Sequence, residues 1–148
     1  MFKHILIPTD GSRLAAKGIK AGVKLARALG AKVAGAYVMP PYSPPLYSEG
    51  AMFAPGASPQ EFKKIHEAAA RKALAAVEIE AQAAGVACST LMLTAEFPWK
   101  GILDAARRKK CDAIVIASHG RGGLGGLLLG SETTRVLSHS KLPVLVIR

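Results

Sequence analysis

The residues with the clearest chemical potential lie between Ser118 and Ser131. The run Ser118-His119-Gly120-Arg121-Gly122-Gly123-Leu124-Gly125-Gly126-Leu127-Leu128-Leu129-Gly130-Ser131 places six glycines in fourteen residues. Glycine lets backbone N–H groups approach a ligand with no Cβ in the way. Gly130-Ser131 stands where a helix begins, and a helix N-terminus favours an anion through its unpaired amides and its dipole. Arg121 adds a cation suited to phosphate oxygens. Leu127, Leu128 and Leu129 would anchor the loop, which argues against a mere connector. Two motif matches fail. Gly120-x-Gly122-x-x-Gly125 has dinucleotide-fingerprint spacing, but no acidic residue follows about 20 positions later to take a ribose. Gly125-x-x-x-x-Gly130-Ser131 resembles a phosphate loop but lacks its lysine.

A second chemical group lies near the N-terminus, in Pro8-Thr9-Asp10-Gly11-Ser12. The Asp10 carboxylate can accept from ribose hydroxyls or an adenine amine, or help hold a divalent cation. It can equally stabilise the turn before the next helix. Ser12 reads as a helix cap rather than a ligand, and His119 as a hydrogen-bonded residue that orients its loop. His4, His66 and His139 show no metal-ligand spacing. Trp99 reads as a packing residue.

The elements that must position these groups alternate. His4–Thr9 is a short apolar strand. A helix from Ser12 or Arg13 to Leu29 carries Ala15, Ile19, Gly22, Val23, Ala26 and Leu29 on one face, and Gly30 ends it. Lys32–Val38 is the second strand. Residues 39–59 hold six prolines and two glycines, so no regular element runs through them. That stretch reads as a surface loop, either a lid or a disordered segment. Ser58-Pro59-Gln60-Glu61 is a capping box that opens a helix to about Ala84, with Phe62, Ile65, Ala69, Ala73, Ala76 and Ala83 expected inward. Cys88–Thr94, Asp112–Ala117 and Pro143–Ile147 are strands. Pro98–Lys109 and Ser131 to about His139 are helices.

Such alternation predicts parallel strands with helical crossovers, covered on both faces: an α/β, doubly wound open sheet. Ligands in such sheets bind beyond the carboxyl ends of the strands, where strand order reverses. The first and fourth strands should flank that point, and their loops carry the two chemical groups.

Composition sets the bounds. The 148 residues fit one domain, 1–148, able to fold without disulfide or metal. Cys88 and Cys111 lie far apart and read as reduced, buried residues. The apolar run at the start is too short for a signal peptide, and no stretch is long enough to cross a membrane; a cytoplasmic protein is expected. The formal charge of +10 draws anions of any kind. Lys and Arg are spread over several helices without interleaved aromatic residues, so a base-stacking platform for nucleic acid is unsupported.

Three stretches resemble a universal stress protein of the UspA superfamily: Ile5 to Ser12, Asp112 to Leu124 with Leu129-Gly130-Ser131, and Leu142 to Ile147. The resemblance covers the whole chain. Nucleotide-binding members carry Gly, two residues, Gly, nine residues, then Gly-Ser or Gly-Thr. Gly120, Gly130 and Ser131 match, and Ala117 replaces the first glycine. The resemblance implies an adenine nucleotide alpha hydrolase-like sheet of five parallel strands in the order 3-2-1-4-5. It also implies an adenine nucleotide, ATP or alternatively AMP or ADP, with Mg or Mn carried in by ATP. Pro8, Thr9, Asp10 and Val38 would border the adenosine. Gly120, Arg121 and Gly122 would approach ribose and phosphates. Gly130, Ser131 and Thr133 would hold the phosphates, with Ala117, His119 and Glu132 beside them. Ser131 and Asp10 could meet the metal, no site being formed by protein alone. Val144, Leu145, Val146 and Ile147 resemble the strand through which the family forms homodimers.

The leading function is therefore a nucleotide-binding regulator of a stress response that signals to a protein partner. A nucleotide-free dimeric scaffold and a slow ATPase are the alternatives. No catalytic base stands out beyond Asp10, so a dedicated enzyme is not expected. Nucleic-acid binding through the basic surface is the weakest reading.

Overall fold

A computed structural model describes residues 1–43, 58–119 and 129–148. The elements follow in the order β1 (His4–Pro8), α1 (Arg13–Leu29), β2 (Lys32–Met39), α2 (Pro59–Ala83), β3 (Cys88–Thr94), α3 (Pro98–Arg108), β4 (Ala113–Ala117), α4 (Ser131–His139) and β5 (Val144–Ile147). The five strands form one parallel sheet in the order β3-β2-β1-β4-β5. This is the doubly wound arrangement expected from the alternation.

Side chains along the strands point to alternate faces, and the core divides accordingly. Ile5, Ile7, Val33 and Val115 pack with Val23 of α1 and Val77 of α2. Leu6, Ala34, Ala36, Ile114 and Ile116 pack on the other face with Ile102 of α3 and Val136 of α4. Strands β1 and β4, buried at every position, need no polar side. Chemistry is thereby confined to the strand ends.

Local signals set most helix boundaries. Ser12 caps α1, its hydroxyl accepting from the Ala15 amide at 3.1 Å. Gly30 ends it at φ 63°, a conformation that glycine adopts without steric cost. The Ser58–Glu61 capping box opens α2.

The inward face of α2 differs from the expectation. Ala70, Ala73, Leu74, Val77 and Ala81 are buried, whereas Ile65 is 61% exposed and Ala76 and Ala83 face solvent. Alanine recurs on every side of this helix, so its spacing gives no clear phase. Leu74 and Val77, the larger side chains, choose the face. The lid-or-disorder question for the proline-rich stretch concerns residues 44–57, which lie outside the described residues.

The amino end of β1, the central strand, carries a titratable group. His4 is buried, and its Nε2 has no hydrogen-bond partner among the described residues. Burial first, then the Lys32 charge, lowers its pKa below the ordinary 6.5, against the pull of Asp112. The unfolded chain therefore takes up a proton that the folded site resists. Stability from His4 is fully present above pH 6.5 and is lost as pH falls through 6.5 toward the lower folded value. Denaturant midpoints measured from pH 7.5 to 5.5 are expected to fall, and to fall less in His4→Leu. Equal slopes in the two proteins would refute this assignment.

Candidate functional site

The switch point lies between β1 and β4, whose neighbours continue in opposite directions across the sheet. Beyond their carboxyl ends opens a cavity of about 390 Å³, within the range of small-ligand sites. Ten of the thirteen residues singled out for nucleotide binding line it. Pro8, Thr9 and Asp10 come from the end of β1, and Val38 from the end of β2. Ala117 and His119 follow β4, while Gly130, Ser131, Glu132 and Thr133 open α4. Gly120, Arg121 and Gly122 lie outside the described residues.

Helix α4 presents its N-terminus to the cavity. Its cap, Gly130, has no side chain to satisfy the first-turn amides. The Gly130 N–H itself donates to the Ser118 carbonyl at 2.8 Å, and the Thr134 N–H takes the Gly130 carbonyl. Ser131, Glu132 and Thr133 are left as the first three helical residues, whose N–H groups have no acceptor within the helix. All three line the cavity. A helix end of this kind suits an anion.

Glu132 should compete for those amides, being an acid in the first turn. Its carboxylate points elsewhere. Oε2 accepts from the Trp99 backbone N–H at 2.8 Å, and Oε1 lies 3.7 Å from Arg135 Nη1. Helix α3 has Phe97 at its cap and no side-chain cap of its own, so Glu132 supplies the missing acceptor from α4. The carboxylate thereby ties the two helices together. Trp99 in turn stacks on His139 with ring centroids 4.4 Å apart, as a packing residue.

Three of these side chains have partners within the protein. The Thr133 hydroxyl is buried and donates to the Ala117 carbonyl at 2.9 Å. Only its backbone amide remains for a ligand. Replacing Thr133 by valine removes that donor at nearly constant shape and is expected to cost about 1–2 kcal/mol in urea unfolding; an unchanged midpoint would refute the bond's contribution. Asp10 Oδ1 accepts from the Ser12 N–H at 2.9 Å, so one carboxylate oxygen shapes the turn. His119 Nδ1 lies 3.1 Å from Ser118 Oγ, which holds the ring against its own loop.

Ala117 stands where the glycine motif would begin. The Ala117 Cβ packs toward α1 at Gly18, where an added Cβ would lie 3.6 Å away, an ordinary contact distance. The apolar walls were not singled out from sequence. Pro98, Ile102 and Ile116 line the cavity, but their residue types read simply as core. Only their position at the carboxyl edge gives them a second role.

Among the described residues no group of three or more His, Cys, Asp or Glu could hold a metal ion. No described helix is long and apolar enough to cross a membrane. Cys111 is buried and Cys88 partly so, both unpaired. Burial, then the Asp112 charge, pushes the Cys111 thiol up to about 11; it is an inert packing group rather than a nucleophile.

Comparison with known proteins agrees with this architecture. The model of the universal stress protein family matches residues 1–148. A universal stress protein of Methanocaldococcus jannaschii is 33% identical over 150 aligned positions, covering all of this chain and 83% of the relative. The structure of UspA from Lactobacillus plantarum superposes with a TM-score of 0.77 at 24% identity, covering 99% of this chain and 97% of that one. The Archaeoglobus fulgidus universal stress protein, solved in complex with dAMP, gives a TM-score of 0.71 at 19% identity, covering 100% and 98% of the two chains. With its full length matched by the family model and its sheet, helices and strand order shared with these structures, the chain belongs to the universal stress protein family.

Proposed function

We propose that this protein binds an adenine nucleotide, ATP foremost, as a regulatory ligand in a stress response. The observation that carries the reading is the N-terminus of α4, uncapped by any side chain among the described residues, whose first three residues open into a cavity with apolar walls. A phosphate would take the amides of Ser131, Glu132 and Thr133. The adenosine would lie toward Pro8, Thr9, Asp10 and Val38, against Ile102 and Pro98. A related protein of the same fold was solved with dAMP, which supports the adenosine end of this pose. Magnesium or manganese would arrive with ATP, and Ser131 and Asp10 are the side chains able to meet it. The chain would act in the cytoplasm as a homodimer through β5, an edge strand whose Leu145 is 46% exposed; an uncovered apolar edge invites pairing.

Denaturant unfolding with and without Mg-ATP tests this. Nucleotide at 100 times its dissociation constant should add about 2.7 kcal/mol. ADP and AMP belong in the same series, with GTP as the control for the base. No stabilisation by any adenine nucleotide at millimolar concentration would overturn the proposal.

A further inference from the structure

The outward face of α1 carries a feature unrelated to the cavity. Arg13, Lys17, Lys20, Lys24 and Arg27 are spaced 4, 3, 4 and 3 residues apart, and all five are exposed. At 3.6 residues per turn they fall within an arc of about 80°, opposite the buried face, and span about 21 Å of helix. Helix α1 contains no acidic residue. None of the ion pairs among the described residues involves any of the five. The other long helix contrasts with this. On α2, Lys63 and Arg71 both pair with Glu67.

This arrangement works against the helix that carries it. Like charges three and four residues apart weaken a helix. Arg13, in the first turn with no acid there, opposes the helix dipole, and Arg27 in the last turn complements it. A face kept purely cationic at the expense of helix stability points to a partner that supplies the negative charge.

We infer that α1 is a docking stripe for the phosphate backbone of a nucleic-acid duplex, read without sequence preference. Lys and Arg alone suffice for such binding, through release of condensed counterions. Laid along a duplex, the stripe spans about six base-pair steps, at about 3.4 Å of axis per step. A membrane surface fits less well. Interfacial helices insert large apolar side chains, and none of the exposed large hydrophobic residues lies on α1. An acidic protein also fits less well, because protein interfaces are centred on aromatic anchors and depleted in lysine. The absence of aromatic residues among the cations, which counts against base stacking, leaves contacts to phosphate untouched.

The test is fluorescence anisotropy of the full chain with two 20-base-pair DNA duplexes of unrelated sequence, titrated over 50–200 mM salt. Five phosphate contacts predict a slope of log affinity on log salt of about −4.5, equal for the two duplexes. The variant K17Q/K20Q/K24Q should lose about 2.7 of that slope and at least about 100-fold in affinity at the lowest salt. K17R/K20R/K24R should bind as the parent does. K63Q/K64Q/K72Q removes the same charge from α2 and should change affinity by less than about threefold. Thermal melting of the glutamine variant on α1 should be no lower than the parent's, since repulsion is relieved. Equal losses from the α1 and α2 glutamine variants would reduce the effect to net charge and overturn the proposal. So would parent protein that ignores both duplexes, or that binds phosphatidylserine vesicles through α1 while leaving the duplexes free.

Discussion

Valine in place of Gly130 is expected to abolish stabilisation by adenine nucleotide while the chain still folds. Gly130 sits at the cap of α4 with φ −61° and ψ 150°, a backbone that other residues can adopt, so strain is not the cause. Space is. A Cβ built there would lie 3.3 Å from both the His119 Cα and the Ser118 carbonyl oxygen. That oxygen also accepts the Gly130 N–H. The branched methyls of valine extend further, and both neighbours are main chain, which cannot swing aside as a flexible side chain would. The first turn of α4 and the Ser118-His119 main chain must therefore move apart, which shifts the amides of Ser131, Glu132 and Thr133 relative to the cavity. Overpacking should cost the fold about 1–3 kcal/mol. Stabilisation of about 2.7 kcal/mol at 100 times the parent's dissociation constant should vanish. The two effects separate in paired unfolding curves with and without Mg-ATP. A variant stabilised by nucleotide as strongly as the parent would remove α4 from the proposed phosphate seat.

The architecture was legible because independent local signals agree. Gly30 and the Ser58–Glu61 box mark helix ends, and the apolar runs of β1 and β4 are short enough for buried strands. Their alternation leaves few topologies. The phase of α2 was not legible, since alanine packs acceptably on any side and the decision rests with Leu74 and Val77. At the candidate site, the clustering of Pro8, Asp10, Val38 and Ser131 follows from the switch-point rule once strand order is known. Side-chain commitments do not follow. Glu132 reaches a backbone amide 33 residues away in sequence, and the Thr133 hydroxyl reaches Ala117 across 16 residues. Both partners are main-chain atoms, which a sequence does not mark as special. Lysine positions on α1 were equally visible in the sequence; their exposure and lack of ion pairs among the described residues were not.

The largest loss of stability should come from Gly101→Val, which also joins the fold to the site. Gly101 is buried on the side of α3 that rests against β2. A Cβ there would stand 2.6 and 2.7 Å from the two methyls of Val38 and 3.2 Å from the Ala95 Cβ. Val38 offers little escape, because a β-branched side chain is stiff at χ1. Helix α3 must therefore lift from β2, or the strand end must shift. Either movement changes a cavity wall, since Val38, Pro98 and Ile102 all line it. Lifting α3 also pulls Trp99 from the Glu132 carboxylate, leaving the first turn of α3 without its acceptor. Severe overpacking of this kind is expected to cost about 3 kcal/mol, and helix propensity returns only a few tenths of that. For a chain of this length the midpoint of thermal unfolding should fall by about 6–12 °C. Urea unfolding should show a lower midpoint at an unchanged slope if the native state stays compact. Nucleotide stabilisation should fall together with the fold, in contrast to Gly130→Val, where it is lost at modest structural cost. A Gly101→Val protein as stable as its parent would mean that α3 and β2 are not in the close contact on which the cavity wall depends.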